Sequence, residues 1–341
     1  MATTFTNSKT YAGELARPYI AAAVKSAKTL SDGLITVKEN VKFKSVLRKI
    51  ETAGLIQDAA CDFTDNGPVQ LTEAILQPAE LMTNIELCKK DFRVDWEALN
   101  TGRGFINDQL PPEFAQFLLL HVAAKIGEGI EENIWQGGTW DDDASGNELP
   151  TAASDGSDTG TAVGNSVTDT FDENHFEGLL AKIKSGGANT RATSTGAVFS
   201  TGNVLTNLDL CVDALPTALQ GDPEVVLYMS PKTFFIYQRK LLSAGTHPQF
   251  NYYTGGTDAF AGYLGYRIAV CPGMSNDAVL AARPDNLFFG TDLLSDHNQA
   301  VVLDMTQLDG SDNVRIAYRY TAGVQVGFAG DCSLVSRYAT T

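Results

Sequence analysis

The sequence lacks the residue patterns on which most enzymes and metal proteins depend. Its 341 residues include four histidines and five cysteines, and no two cysteines form a Cys-x-x-Cys pair. Motifs of a phosphate-binding loop, a serine hydrolase or a zinc protease are absent. An odd number of widely spaced cysteines does not make a secreted disulfide framework. We therefore expect buried free thiols and no catalytic site.

Long apolar runs are missing as well. No stretch reaches the roughly 18 apolar residues of a transmembrane helix. The first residues, 1–9, are polar and lack the apolar core of a signal peptide. We therefore expect no membrane partner and a protein that stays in the cytosol where it is made.

Basic charge is scarce and scattered. The chain has 41 acidic and 25 basic side chains, which gives a net charge of −16. Its densest basic stretch, residues 38–48, is interrupted by apolar residues. A protein that grips nucleic acid normally has a basic face or basic runs. The composition therefore excludes tight general DNA binding, and it suits a protein kept soluble at high concentration.

The strongest local pattern in the chain predicts a long helix over residues 111–136. Pro111 and Pro112 suit a first helical turn, and Glu113 suits the positive end of the helix. Apolar side chains then recur every four residues, at Phe114, Leu118, Val122, Ile126, Ile130 and Ile134. Such a helix is on the order of 35–40 Å long, enough to cross a domain. Gly127 and Gly129 inside it predict close backbone packing against a neighbour.

Other segments give a mixed pattern of helices and strands, typical of an α+β protein. Residues 1–61 predict an arm followed by a first helix over residues 43–55, where apolar residues follow helical spacing. Residues 62–110 predict an extended loop with a hairpin whose turn is Lys89-Lys90-Asp91. Residues 203–285 predict a compact α/β lobe, in which Ser230 caps a helix. Residues 286–341 are rich in strand patterns.

An acidic stretch without lysine or arginine, residues 139–170, predicts a loop. Within it, Asp141-x-Asp143-x-Ser145-Gly146 matches the first half of a calcium-binding loop. The twelfth position of such a loop is Ala152 and not glutamate, although Glu148, Asp155 and Asp158 lie nearby and could substitute. Two interpretations stay open: a solvated acidic loop, or a cation site for Ca²⁺ formed by Asp141, Asp143, Ser145 and Asp155.

The order of these segments resembles the major capsid proteins of tailed bacteriophages, which have the Hong Kong 97-type fold. The end of the predicted long helix, Glu131-Glu132-Asn133-Ile134-Trp135-Gln136-Gly137-Gly138, is similar to the family's acidic pair, aromatic residue and glycines. Met229-Ser230-Pro231-Lys232-Thr233 and Leu264-Gly265-Tyr266-Arg267-Ile268 look like landmarks of its axial domain. The resemblance covers nearly the whole chain, and it rests on the shared order of weak motifs.

The resemblance implies an architecture and a function. The architecture has an N-terminal arm and first helix (1–61), an extended loop (62–110), a peripheral domain (111–202 and 286–341) with a spine helix (111–136), and an axial domain (203–285). The function is self-assembly, as pentamers and hexamers, into an icosahedral head that encloses double-stranded DNA without binding it specifically. Such a protein is part of the virion and is assembled in the host cytoplasm, with scaffolding, portal and decoration proteins as further partners.

Exposed segments of the extended loop and the end of the spine helix are candidates for contacts between subunits. The candidate residues are Lys89, Lys90, Asp91, Arg93, Arg103 and Trp135. Two other functions remain open at this point. One is the shell of an encapsulin-like compartment, which has the same fold and encloses cargo proteins. The other is a metal-dependent hydrolase that uses the acidic residues between Asp141 and Asp158.

Overall fold

Two six-stranded sheets and two two-stranded hairpins make up the β-structure of the part of the chain that the structure describes. The structure is a computed structural model. It describes residues 8–12, 27–52, 69–88, 112–137, 139–142, 148–151, 176–185, 191–195, 197–243, 262–292, 299–305 and 310–337. Helices and sheets are mixed along the chain, so the predicted α+β class is confirmed.

The helices and strands are numbered in chain order. The helices are α1 (Lys28–Ser31), α2 (Pro112–Gln136), α3 (Leu179–Ser185), α4 (Val204–Asp213) and α5 (Pro231–Ser243). The strands are β1 (Ser8–Ala12), β2 (Thr36–Lys38), β3 (Ser45–Thr52), β4 (Val69–Leu76), β5 (Ala79–Cys88), β6 (Thr139–Asp142), β7 (Glu148–Thr151), β8 (Arg191–Ser194), β9 (Val226–Met229), β10 (Gly262–Tyr263), β11 (Tyr266–Val270), β12 (Ala278–Ala282), β13 (Leu287–Gly290), β14 (Gln299–Asp304), β15 (Asn313–Val326) and β16 (Ser333–Ser336).

The first sheet is built on the long strand β15 and is covered by helix α2. Its order is β1-β14-β15-β13-β2, and β5 also pairs with β15. The predicted long helix is confirmed, since α2 has 25 residues. Its predicted apolar side is buried from Val122 to Ile134. The hydroxyl of Tyr318 on β15 donates a hydrogen bond of 2.6 Å to the backbone oxygen of Leu119 on α2, which fixes the helix to the sheet.

The second sheet has the order β10-β11-β9-β12-β16-β8, and helix α4 packs against β12 and β16. Its central strand β9 is buried at every position, as expected for a strand covered on both faces. The backbone N–H of Thr233 donates to the Ser230 hydroxyl at 3.2 Å, so the predicted cap of α5 is confirmed. Strand β16 pairs with β12 and with β8, which puts residues 333–336 and 191–194, both predicted in the peripheral domain, in the sheet of the predicted axial lobe. The other predicted domain boundaries stay predictions.

The predicted first helix over residues 43–55 is wrong, because residues 45–52 within it form strand β3. Strand β3 pairs antiparallel with β4, from Ser45 opposite Leu76 to Thr52 opposite Val69. Its apolar residues satisfy helical spacing and strand alternation equally well. Hydrogen bonding to β4 stabilises the strand. The paired strands of this region are therefore residues 45–52 and 69–76, upstream of the turn predicted at residues 89–91. Residues 89–111 lie outside the described part of the chain.

The predicted loop over residues 139–170 is wrong at both of its described segments. Strands β6 and β7 pair antiparallel, with Asp142 opposite Glu148, because backbone hydrogen bonds organise a segment whose composition favours a loop. In the described residues, no helix combines the length and the hydropathy that crossing a membrane requires.

Candidate assembly surfaces

The hairpin of β3 and β4 presents an exposed apolar surface. Because strand side chains alternate between two sides, three cross-strand pairs share the outer side: Val46 with Ile75, Arg48 with Glu73, and Ile50 with Leu71. We call these six residues the hairpin face. Its four apolar side chains are 46–68% exposed, and Ile50 is the most exposed of them. An ion pair of 2.8 Å between Arg48 Nε and Glu73 Oε1 lies between the apolar pairs.

The inner side of the same hairpin is anchored to the body of the subunit. Leu47 and Leu76 are buried. Lys49 forms an ion pair with Asp331, and its Nζ lies 5.1 Å from the centre of the Phe328 ring. A two-stranded hairpin is marginally stable by itself, so these contacts fix its base, while the described residues leave the hairpin face uncovered.

A cavity of about 410 Å³ lies at the base of the hairpin. Its walls include Lys38, Lys49 and Phe288, and Lys38 Nζ lies 5.1 Å from the centre of the Phe288 ring. Arg283, at another wall, is surrounded by Asp222, Glu224 and Asp285 in ion pairs. The described residues that line the cavity include no histidine, cysteine or hydroxyl group, and their charged side chains are lysines, arginines and aspartates.

Glu131 forms the centre of a buried polar junction between helix α2 and helix α1. Its carboxylate accepts hydrogen bonds from the backbone N–H of Thr29, at 2.8 Å, and from the Thr29 hydroxyl. The indole N–H of Trp135 donates to the same hydroxyl oxygen at 3.0 Å. Each buried polar group that these bonds join is therefore satisfied, as burial requires.

Tyr228 on β9 extends this junction to the second sheet. Its ring lies 5.4 Å from the Trp135 ring, and its hydroxyl donates a hydrogen bond of 2.7 Å to the backbone oxygen of Leu34. Burial is the main reason that the pKa of Tyr228 is raised well above its usual range. The hydroxyl therefore remains a donor at neutral pH, and helix α2, residues 27–35 and the second sheet are held together.

Trp135 was predicted as a contact between subunits, and this prediction is wrong. Its side chain is fully buried inside its own subunit, where no neighbouring copy can reach it. The other candidates, Lys89, Lys90, Asp91, Arg93 and Arg103, lie outside the described residues and stay predictions. The hairpin face was missed in the sequence. The signal that could have found it is the alternation of Val46, Arg48 and Ile50, which has the period of a strand.

The structure places part of the predicted cation loop in the β6–β7 hairpin. Asp141 is in β6, opposite Leu149, whereas Asp143, Ser145 and Asp155 lie outside the described residues. Among those described, no three histidine, cysteine, aspartate or glutamate side chains lie close enough together to hold a metal ion. The calcium site therefore stays a prediction.

Comparisons with known proteins find similarity at the level of the fold. No protein-family model matches the sequence, and no curated protein matches it either.

A chain of the procapsid of satellite phage P4, which includes the size determination (Sid) protein, is 12% identical with a TM-score of 0.56, over 99% of this chain and 92% of that one. The capsid of an empty GTA particle is 14% identical with a TM-score of 0.55, over 92% and 97%. A structure of Mycobacterium phage Ogopogo is 10% identical with a TM-score of 0.52, over 91% and 92%. The chain therefore has the capsid fold of tailed-phage major capsid proteins, the Hong Kong 97-type fold.

Proposed function

We propose that this protein is a structural major capsid protein without catalytic activity. Its copies assemble as pentamers and hexamers into the icosahedral head of a tailed phage, around double-stranded DNA. The fold supports this proposal, since chains with a similar fold build capsids. The observation that carries the proposal is the hairpin face, an apolar surface that the described part of its own subunit leaves exposed.

The hairpin face has the properties of a surface that a second copy covers. A thin hairpin cannot fold back to bury Ile50 and Leu71, which are 68% and 55% exposed. Clustered exposed apolar side chains mark interaction sites in soluble proteins. Covering each of these side chains stabilises the contact between two copies by about 1–2 kcal/mol. The contact recurs at every copy of a symmetric assembly, so a modest gain per subunit is enough to stabilise a closed shell.

The charge of the protein fits an inner wall around packaged DNA. A net charge of −16 repels phosphates and leaves the DNA without specific binding. We further propose assembly in the host cytoplasm, incorporation into the virion, and scaffolding, portal and decoration proteins as partners of the shell.

Electron microscopy of the purified protein tests this function. We expect wild-type protein to form uniform closed shells, and Ile50→Lys to remain as unassembled subunits with an unchanged Tm. The Tm stays nearly constant because Ile50 is 68% exposed and contributes little buried area to its own subunit. Val198→Lys serves as the control, since Val198 is 49% exposed and lies between β8 and α4, outside the hairpin. It should assemble as the wild type does.

Two results would count against the proposal. Wild-type protein that stays monomeric at high concentration would remove the capsid function. Particles isolated from phage-producing cells that contain a protein cargo in place of DNA would point to an encapsulin-like compartment.

A further inference from the structure

A strained turn carries an exposed leucine at the edge of the second sheet. Strands β10 and β11 are joined by Leu264 and Gly265, whose φ angles are +50° and +89°. This is the type I′ turn that favours Asn-Gly, because both residues have positive φ. The other described non-glycine residue with positive φ is Asn40, a residue type that tolerates it. Leu264 is a poor choice for this backbone, and its side chain is 68% exposed.

The turn is nevertheless held rigidly by three tyrosines. The buried Tyr266 accepts a hydrogen bond of 2.6 Å from the backbone N–H of Gly221. The hydroxyl of Tyr263 donates to the carboxylate of Asp209 on α4. The ring of Tyr237 packs edge-to-face on Tyr263 at 6.0 Å. A strained residue persists only where its surroundings fix it, so Leu264 is presented in one defined position.

Two carboxylates lie near the tyrosine that precedes this leucine. Asp209 and Asp213 are exposed on α4, and both lie close enough to Tyr263 to raise its pKa, in addition to the larger effect of burial. Among the described residues, neither carboxylate forms an ion pair. We call Leu264, Asp209 and Asp213 the knob, which combines an exposed apolar side chain with two carboxylates that form no ion pair with a described residue.

Helix α5 carries a surface of opposite charge. Lys232, Phe235 and Arg239 are exposed, and their spacing of three and four residues places them on one side of the helix. Phe235 is 56% exposed. No described carboxylate pairs with Lys232 or Arg239. We call these three residues the α5 stripe. The opposite side of α5 carries the buried Tyr237, which touches Tyr263, so the stripe faces away from the knob of its own subunit.

We propose that the knob of one copy docks on the α5 stripe of a second copy, with Leu264 against Phe235 and the aspartates beside Lys232 and Arg239. This inference rests on the proposed function, and it adds a specific contact to it. The two surfaces are complementary in charge and each has an exposed apolar side chain. They face different ways in one subunit, so the contact is head-to-tail and repeats around a closed ring. Docking buries the Leu264 side chain, and this burial offsets the free-energy cost of its strained backbone.

Leu264→Asn tests the knob, because the proposal requires opposite effects on the subunit and on the assembly. Asparagine fits the type I′ turn, so the Tm of the subunit, measured below the assembly concentration, should rise by about 2 °C. The concentration needed for shells should rise at least about tenfold, because the apolar contact is lost. Leu264→Met keeps an apolar side chain and should assemble like the wild type. Assembly of Leu264→Asn at the wild-type concentration would overturn the proposal.

A charge exchange tests the second surface. Asp213→Lys and Arg239→Glu should each raise the assembly concentration, because each places like charges across the contact. A chain that carries both substitutions restores opposite charges and should assemble close to the wild-type concentration. A double variant no better than the single variants would show that the α5 stripe is not the docking surface. If the wild-type chain forms no shells under any condition, the proposed function fails, which separates that outcome from failure of this contact alone.

Discussion

A single buried carboxylate joins the N-terminal segment to the long helix. Glu131 accepts two hydrogen bonds from Thr29, and Thr29 in turn accepts one from Trp135. The glutamate is 5% exposed, so water cannot replace it as the acceptor. A buried donor without an acceptor loses the full hydration free energy of that group. The stability of the junction therefore depends on this residue.

Glu131→Ala should lower the free energy of unfolding by about 2–3 kcal/mol, because it leaves two donors of Thr29 buried without partners. Urea unfolding of the unassembled subunit measures this change. Glu128→Ala on the same helix is the matched control. Glu128 forms an exposed pair with Lys125, and its loss should cost less than about 0.5 kcal/mol. Equal effects of the two variants would contradict the role of the junction.

Three of the cysteines confirm the prediction of buried free thiols: Cys211, Cys271 and Cys332. Burial raises the pKa of Cys211 and that of Cys332 to about 12, from an ordinary value of 9.0. In the unfolded chain these thiols release their protons at lower pH than in the native protein. Between pH 9 and pH 12 the unfolded state thus binds fewer protons, and stability falls as pH rises.

We expect the free energy of unfolding to decrease progressively from about pH 9 to about pH 12, and to do so less steeply in the double variant Cys211→Ala, Cys332→Ala. Chemical unfolding at several pH values gives both slopes. Buried tyrosines contribute equally to the two proteins, so the difference between the slopes isolates the thiols. Identical slopes would mean that the two thiols ionise alike in the native and unfolded states.

At the scale of secondary-structure elements, three glycines allow the close packing around helix α2. A Cβ on Gly273 would lie 2.2 Å from the backbone oxygen of Glu131. A Cβ on Gly137 would lie 2.3 Å from the backbone oxygen of Phe176, and one on Gly178 would meet the backbone of Trp135. The close packing predicted for Gly129 is wrong, since a Cβ there would meet nothing within 4 Å.

Two alanine substitutions should therefore have opposite effects on the unassembled subunit. Gly273→Ala forces backbone atoms apart and should destabilise it by about 1–3 kcal/mol. Gly129→Ala removes a flexible residue from a helix interior and should stabilise it by about 0.5–1 kcal/mol. Thermal unfolding of both variants measures these changes in stability. A neutral Gly273→Ala would show that α2 and the turn after β11 are not in this close contact.

At the scale of the whole molecule, the net charge of −16 opposes assembly of identical copies. Charges on neighbouring copies repel over about 30 Å at 0.01 M salt, and over about 8 Å at 0.15 M. The few complementary pairs at a contact, such as the knob and the α5 stripe, act at short range and are screened less.

The concentration needed for shell formation should therefore fall when salt is raised from about 0.01 M to about 0.15 M. Light scattering over a dilution series measures it. Sucrose at the same osmolality is the control and should leave the concentration nearly unchanged. A threshold that rises with salt would show that attraction between opposite charges dominates assembly.

The sequence alone determined the features that depend on neighbours along the chain. The helix over residues 112–136 follows from its four-residue apolar period, and the start of α5 follows from Ser230 as its cap. The order of segments also pointed to the capsid fold. These predictions hold because side chains a few residues apart fix the local backbone and its buried side.

Only the tertiary structure decided the features that depend on residues far apart in the chain. Residues 45–52 fit a helix or a strand equally, and pairing with β4 settled it. Trp135 has the sequence context of an exposed helix end, but Thr29 and Tyr228 enclose it. The hairpin face, the knob and the α5 stripe are defined by which side chains the fold leaves uncovered. That choice follows from packing between distant segments, and local patterns such as the alternation of Val46, Arg48 and Ile50 give only the candidate faces.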